Sequence, residues 1–351
     1  MTVTALGLPA MRREPPAGMP LAGPLVDTFG RVATDLRVSL TDRCNLRCTY
    51  CMPAEGLDWL PGDELLSRDE LTRLLSLAVT RLGISSVRFT GGEPLLYKAL
   101  EEVVAATAAL RPRPEIALTT NGLGLSRRAK ALAAAGLDRV NVSLDTCDPQ
   151  RFTAITRRDR LSDVLDGLAA AGAAGLRPVK VNAVLDSESG LDDAVELLRY
   201  CLRFGYQLRI IEQMPLDAGH QWRRDAALRA DEIFAALASH FELTADPAPR
   251  GSAPAQLWRV DGGPAAVGII ASVSHAFCSA CDRTRLTADG QVRNCLFATE
   301  ETDLRALLRS CADDDALEAA WRAAMWRKAA GHGINDPGFV QPERPMSAIG
   351  G

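Results

Sequence analysis

Asp35-Leu36-Arg37-Val38-Ser39-Leu40-Thr41-Asp42-Arg43-Cys44-Asn45-Leu46-Arg47-Cys48-Thr49-Tyr50-Cys51 is an alternating strand that runs straight into three cysteines. Strand side chains point alternately to two faces, so Leu36, Val38 and Leu40 share one face and Arg37, Ser39 and Thr41 the other. The same division recurs downstream. It predicts strands over 35–41, 86–90, 115–120, 138–145, 178–185 and 207–213, each with an apolar face and a face carrying groups such as Arg88, Thr119, Ser143, Lys180 or Arg209. Between them, apolar residues at helical spacing predict helices over 67–82, 97–110, 126–135, 161–174 and 190–204, the first opened by a Ser67/Glu70 capping box. Strands alternating with helices build parallel βαβ units with right-handed crossovers. Six units are too few for a closed eight-stranded barrel. The predicted fold is therefore α/β, an incomplete (β/α)6 TIM-like barrel, with a flat doubly wound sheet as the alternative. Parallel strands covered on both faces normally read as continuous Val/Ile/Leu runs; the polar faces here predict a lumen that holds a large polar ligand.

Cys44, Cys48 and Cys51 give a Cys-x3-Cys-x2-Cys spacing directly after the first strand. Thiolates are the ligands of 4Fe–4S clusters, and three of them leave one iron with open coordination sites. The alternative is a zinc site completed by a distant fourth ligand. The motif, with aromatic Tyr50 before its last cysteine, resembles the signature of the radical S-adenosylmethionine (SAM) superfamily. That resemblance implies that the open iron chelates SAM and that one electron cleaves SAM to a 5'-deoxyadenosyl radical. Gly91-Gly92-Glu93-Pro94 follows the second strand, and glycines let backbone approach a ligand closely. The resemblance assigns SAM contacts to Gly92, Tyr50, Ser143 and Met214.

After residue 245 the texture changes. A Pro-rich linker, 246–254, leads to predicted strands over 256–260 and 265–272, then to a second cysteine group, Cys278, Cys281 and Cys295. Zinc is a serious alternative here, because His275 could complete a Cys3His site. Arg283 and Arg285, alternating on a short strand, aim two guanidinium forks at one place, an arrangement suited to phosphate oxygens. Predicted helices over 301–311 and 315–329 follow, and the chain ends in an extended Gly/Pro-rich tail closing on Gly350-Gly351.

Taken together, Asp35-Leu36-Arg37, Thr41 to Cys44, the second cysteine group with Arg283-Thr284-Arg285, and the terminal Gly-Gly resemble the GTP 3',8-cyclase family of molybdenum cofactor biosynthesis over 34–351. The resemblance implies a radical SAM partial barrel closed on its open side by a C-terminal α+β region, and two 4Fe–4S clusters. The first, on Cys44, Cys48 and Cys51, binds SAM; the second, on Cys278, Cys281 and Cys295, binds substrate. It places GTP contacts at Arg37, Arg88, Thr119, Lys180, Arg209, Arg283, Thr284 and Arg285, with Arg37, Arg283, Arg285, Gly350 and Gly351 serving catalysis. The implied reaction takes the hydrogen from carbon 3' of GTP and joins that carbon to carbon 8 of guanine. It needs an external one-electron reductant and feeds a downstream cyclic pyranopterin monophosphate synthase. A homodimer is compatible with it.

The 351 residues divide into a mobile N-terminal arm (1–33), the barrel (34–245) and a C-terminal substrate-cluster region (246–351). A composition 47% hydrophobic and 24% charged is that of a globular protein, and a net charge of −4 argues against a general nucleic-acid binder. No secretory leader or span-length apolar run is read, so the expected location is cytoplasmic, with no membrane partner. Nine cysteines in a reducing compartment point to metal ligation, leaving Cys147, Cys201 and Cys311 as packing residues. Two rival functions are a radical SAM peptide-modifying enzyme and a non-catalytic metal or redox sensor.

Overall fold

The computed structural model describes residues 16–350. A short hairpin, β1 (Leu25–Val26) and β2 (Val32–Ala33), precedes β3 (Asp35–Ser39), α1 (Arg68–Thr80), β4 (Ser86–Thr90), α2 (Leu100–Ala108), β5 (Glu115–Thr120) and α3 (Leu125–Ala135). Then come β6 (Arg139–Ser143), α4 (Pro149–Thr156), α5 (Leu161–Ala173), β7 (Val179–Val184), α6 (Gly190–Phe204) and β8 (Gln207–Ile211). The six barrel strands, β3 to β8, lie within two residues of the predicted ends. Ser67 and Glu70 do form the capping box of α1. Helix α4 was not predicted. It is brief, capped by Asp148 with Pro149 in its first turn, and buries only Phe152 and Thr156, too few positions for a periodic signal.

The remaining elements are α7 (Ala230–Ala238), β9 (Leu243–Ala245), β10 (Gln256–Val260), β11 (Ala266–Ile270), β12 (Arg283–Leu286), β13 (Gln291–Arg293), β14 (Thr302–Asp303), α8 (Leu304–Arg309), α9 (Asp314–Trp326) and α10 (Met346–Ile349). All strands after the hairpin join one twelve-stranded sheet in the order β14-β13-β12-β3-β4-β5-β6-β7-β8-β11-β10-β9. From β3 to β8 every neighbour is parallel and sequential. Crossovers of one hand without a reversal in strand order put every helix on the same face, and the sheet curls around the other. A doubly wound sheet needs such a reversal, so that alternative falls.

The outward face carries the core. Leu36, Val38, Val87, Phe89, Ile116, Leu118, Val140, Val142, Val181, Leu208 and Ile210 are buried under the helices. Each such side chain contributes about 1.5–3 kcal/mol by leaving water. The C-terminal region extends the same sheet at both edges: β12 lies parallel to β3, and β11 parallel to β8. None of the described helices is long and apolar enough to cross a membrane.

Residues 16–33 correct the expected mobile arm. Leu25 is fully buried and its N–H donates to Leu82 O at 3.1 Å. Arg31, ion-paired to Asp27, donates to the carbonyls of Cys278, Ala329 and Ala330. The sequence hid this because the carbonyls that anchor Arg31 lie some 250–300 positions away. The rest of the arm lies outside the described residues.

Candidate active site

The loop after β3 is fastened to the loop after β4. The Gly92 N–H donates to Thr41 O and the Glu93 N–H to Arg43 O, both at 2.7 Å. A Cβ on Gly91 would lie 2.4 Å from Thr41 O, and one on Gly92 2.3 Å from Arg43 O. Glycine is required because backbone meets backbone there. These glycines thus seat the cysteine loop first, while also bordering the cavity. The buried Glu93 carboxylate accepts from Thr120 Oγ1 at 2.6 Å, Asn121 N at 2.7 Å and Leu95 N at 2.9 Å. Burial still pushes it up to about 7. Asn121 donates to Asn45 Oδ1 at 2.7 Å and reaches Cys44 Sγ at 3.8 Å. Tyr50 donates to Asp145 Oδ2 at 2.8 Å, where burial lifts the carboxyl to about 6. Burial pushes the Cys51 thiol up to about 12, with Cys44 beside it, and drives Cys48 well above its ordinary value. Three crowded thiols that resist ionisation fit a site completed by a cationic iron centre, which ligates thiolates.

The second cysteine group sits across the same space in a different setting. Lys328 is buried, with Nζ 3.3 Å from Cys281 Sγ and donating to Arg283 O at 2.8 Å. Arg283 Nη1 stands 3.8 Å from the same sulfur. Burial would raise the Cys281 thiol, but Lys328 and Arg283 outweigh it and hold the thiol below its ordinary value. His275 does not complete a zinc site here: it is 64% exposed by side chain, with Nε2 3.5 Å from Asp231 Oδ1. His332 borders the cavity instead.

One cavity of about 730 Å³ is lined by both cysteine groups. Arg37, Arg88, Arg139, Lys180, Arg209, Arg283 and Arg285 reach it from six strands, together with Tyr50, Gly92, Thr119, Ser143 and Met214. Strand register sets Arg37 beside both Arg88 and Arg285. Two carboxylates ion-pair with these cations among the described residues. Asp35 lies 3.6 Å from Arg37 and 3.9 Å from Arg283, and Glu115 lies 2.5 Å from Arg139. Burial, then Arg209, Arg139 and Arg88, depresses Lys180 to about 7. Burial with Arg37 nearby takes Arg285 to about 9; burial with Arg139 and Arg37 takes Arg209 to about 10. The Nε atoms of Arg37, Arg88, Arg209 and Arg283, Nη1 of Arg139, and Oδ1 of Asn141 and Asn182 are buried without a hydrogen-bond partner. Each such group costs about 1–3 kcal/mol while unpaired. The wall is built for a polyanion that also offers donors.

Two family models cover this architecture in succession: the radical SAM superfamily over residues 38–201 and Molybdenum Cofactor Synthesis C over 206–334. A GTP 3',8-cyclase of Mycobacterium sp. strain KMS is 77% identical over 351 residues, covering all of both chains. The GTP 3',8-cyclase of Mycobacterium marinum is 73% identical over 360 residues, again covering both chains fully. The chain belongs to the GTP 3',8-cyclase family. Its fold is shared by Streptococcus suis SuiB bound to S-adenosylmethionine, with a TM-score of 0.58 and 13% identity over 90% of this chain and 75% of that one.

One residue expected at a GTP 3',8-cyclase site is placed otherwise. Thr284, on the opposite face of β12 from its two arginines, is fully buried and accepts from Trp321 Nε1 at 3.1 Å. Strand alternation already implied this. Gly350 enters the barrel: its carbonyl accepts from Arg285 Nη1, and with φ +85° a Cβ there would lie 2.7 Å from Ser39 Oγ. Gly351 lies outside the described residues. Cys311 is exposed rather than packed, whereas Cys201 is buried as expected. Sequence reading missed Arg139 and Lys328. Arg139 opens β6, where alternation puts it on the polar face with Asn141 and Ser143, so that signal was present. Lys328 follows α9 and reaches Cys281 only through the fold.

Proposed function

We propose that the chain is a radical SAM GTP 3',8-cyclase that converts GTP to (8S)-3',8-cyclo-7,8-dihydroguanosine 5'-triphosphate, in the first step of molybdenum cofactor biosynthesis. The observation that carries this is the cavity in which two three-cysteine sets face one another across a wall of buried cations, several of whose nitrogens lack a hydrogen-bond partner. Cys44, Cys48 and Cys51 would hold one 4Fe–4S cluster and Cys278, Cys281 and Cys295 the other. When bound, the first cluster with SAM supplies the one-electron cleavage and the hydrogen-abstracting radical.

The chain's own groups do the positioning. Tyr50, held by Asp145, and Gly92, Ser143 and Met214 line the same cavity as the first cysteine group and would seat SAM. Arg37, Arg88, Lys180 and Arg209, joined by Arg139, would take the triphosphate, and Thr119 stands among them on β5. Arg283 and Arg285 lie on the side of the second cysteine group, where they would hold the nucleotide end near its open iron. Gly350 presses on Ser39 and occupies Arg285, so the tail would fix the substrate and exclude water. An external one-electron donor is required, and the cyclised product is the substrate of a cyclic pyranopterin monophosphate synthase.

Anaerobic incubation with SAM, dithionite and GTP, followed by mass spectrometry, tests the reading. It expects 5'-deoxyadenosine and a cyclised nucleotide isomeric with GTP, because the hydrogen lost from carbon 3' is replaced by one electron and one proton after the new bond forms. Intact SAM after full reconstitution would leave only the sensor reading.

A further inference from the structure

The first cysteine loop is a partition with two sides. Inside, Cys44, Cys48 and Cys51 face the large cavity. Outside, Asn45, one residue from Cys44, lines a separate open pocket of about 540 Å³. Asn121 spans the partition, donating to Asn45 Oδ1 at 2.7 Å and approaching Cys44 Sγ at 3.8 Å. The pocket's floor is apolar, made by Leu95, Leu96 and Leu123, and its rim carries Arg127, Arg128, Arg158 and Arg160. Leu96 is 44% exposed, one of few large apolar side chains left in water. Glu101 pairs with Arg128 and Asp163 with Arg160. No carboxylate bridges Arg127 or Arg158 among the described residues, so the rim keeps a positive surplus on a chain whose net charge is −4.

We propose that this basic pocket outside the first cysteine loop docks a small acidic one-electron carrier protein, which reduces the SAM-side cluster through the Asn45–Asn121–Cys44 partition. The inference rests on the radical SAM reading above. Two features meet here, one residue from Cys44: a positive rim for steering and an exposed apolar side chain, Leu96, for brief contact. Transient electron-transfer interfaces are small, and opposite charge chiefly sets their encounter rate. The carrier gives up one electron and is oxidised by one unit; the cluster is reduced by one, and no bond is made or broken. The cavity side is unsuited to this task, because SAM and GTP would occupy it.

Flavodoxin, fully reduced, serves as the probe. Its binding to the chain is measured by calorimetry without GTP, and its oxidation by the anaerobically reconstituted chain by stopped flow. Arg127→Glu with Arg158→Glu should slow the oxidation at low salt by about ten-fold or more, because charge reversal removes steering. The wild-type rate should fall steeply with added salt and the double variant's should not. Arg199→Glu, a charge change on α6, should behave as wild type. Dithionite, too small to need docking, should drive turnover equally in all variants. Unchanged flavodoxin binding and oxidation in the double variant would overturn the proposal. So would a dimer of the chain that the double variant abolishes while flavodoxin still binds. If dithionite yields no cyclised product in any variant, the cyclase reading fails, and the calorimetry still decides the docking.

Discussion

The two cysteine groups present the same three-thiol donor set in opposite electrostatic company. Around Cys44, Cys48 and Cys51 the nearest ionisable neighbours include the buried carboxyls Glu93 and Asp145, and burial leaves all three thiols hard to ionise. Around Cys281 stand Lys328 and Arg283, which outweigh burial and pull the thiol down. Hydrogen bonds and charge around the sulfurs set the potential and preference of an iron–sulfur centre. The difference teaches that the first group is enclosed by burial and carboxyls, whereas the Cys281 end is open to a second task, holding an anionic or electron-rich ligand. The cations between them belong to the second task.

The broadest way to break this comparison is to remove one group at a time. Anaerobic reconstitution should give about eight irons per chain, two 4Fe–4S centres. Cys48→Ala or Cys281→Ala should each halve the iron and abolish cyclisation. Loss of all iron in either variant would show that the two sides are not independent.

Next in size is the tail. Gly350→Leu cannot keep φ +85° at low cost and would strike Ser39 Oγ, 2.7 Å from the added carbon. Cyclised product should fall below detection while iron content stays at the wild-type level. Normal cyclisation would separate the tail from the second side.

The cation wall sharpens the comparison further. Lys180→Ala or Arg139→Ala should weaken GTP binding, read by calorimetry, by about 1.5–3 kcal/mol, as for a hydrogen bond to a charged group. Lys180 also gives the binding a pH dependence of known sign. Depressed to about 7 in the free chain, it is mostly neutral at pH 8, and a bound triphosphate would restore its proton. GTP binding should therefore take up a proton, and affinity should fall as pH rises above 7. Lys180→Ala should flatten that slope; an unchanged slope would assign it elsewhere.

The smallest effect probes the second sulfur environment. Lys328→Met removes a cation 3.3 Å from Cys281 Sγ. A redox titration followed by electron paramagnetic resonance should show the second centre's midpoint falling by on the order of tens of millivolts, since less positive charge disfavours the added electron. The first centre should not move. A shift in both would mean that the two environments are coupled.

The sequence by itself determined the six barrel strands, the inward polar faces and both cysteine groups. Those signals are local: alternation along a strand and spacing within a loop survive without knowledge of the fold. Arg37, Arg88, Thr119, Lys180, Arg209, Arg283 and Arg285 were legible because each stands on the polar face of its own strand. Thr284 stands on the other face, and only its place inside a family motif had drawn it into the site. Tertiary structure alone decided which groups meet. Lys328 reaches Cys281 across 47 positions, Arg31 braces Cys278 across 247, and Asn121 backs Cys44 across 77. No local pattern encodes such pairings, because they arise only when the sheet curls and brings its edges and loops around one cavity.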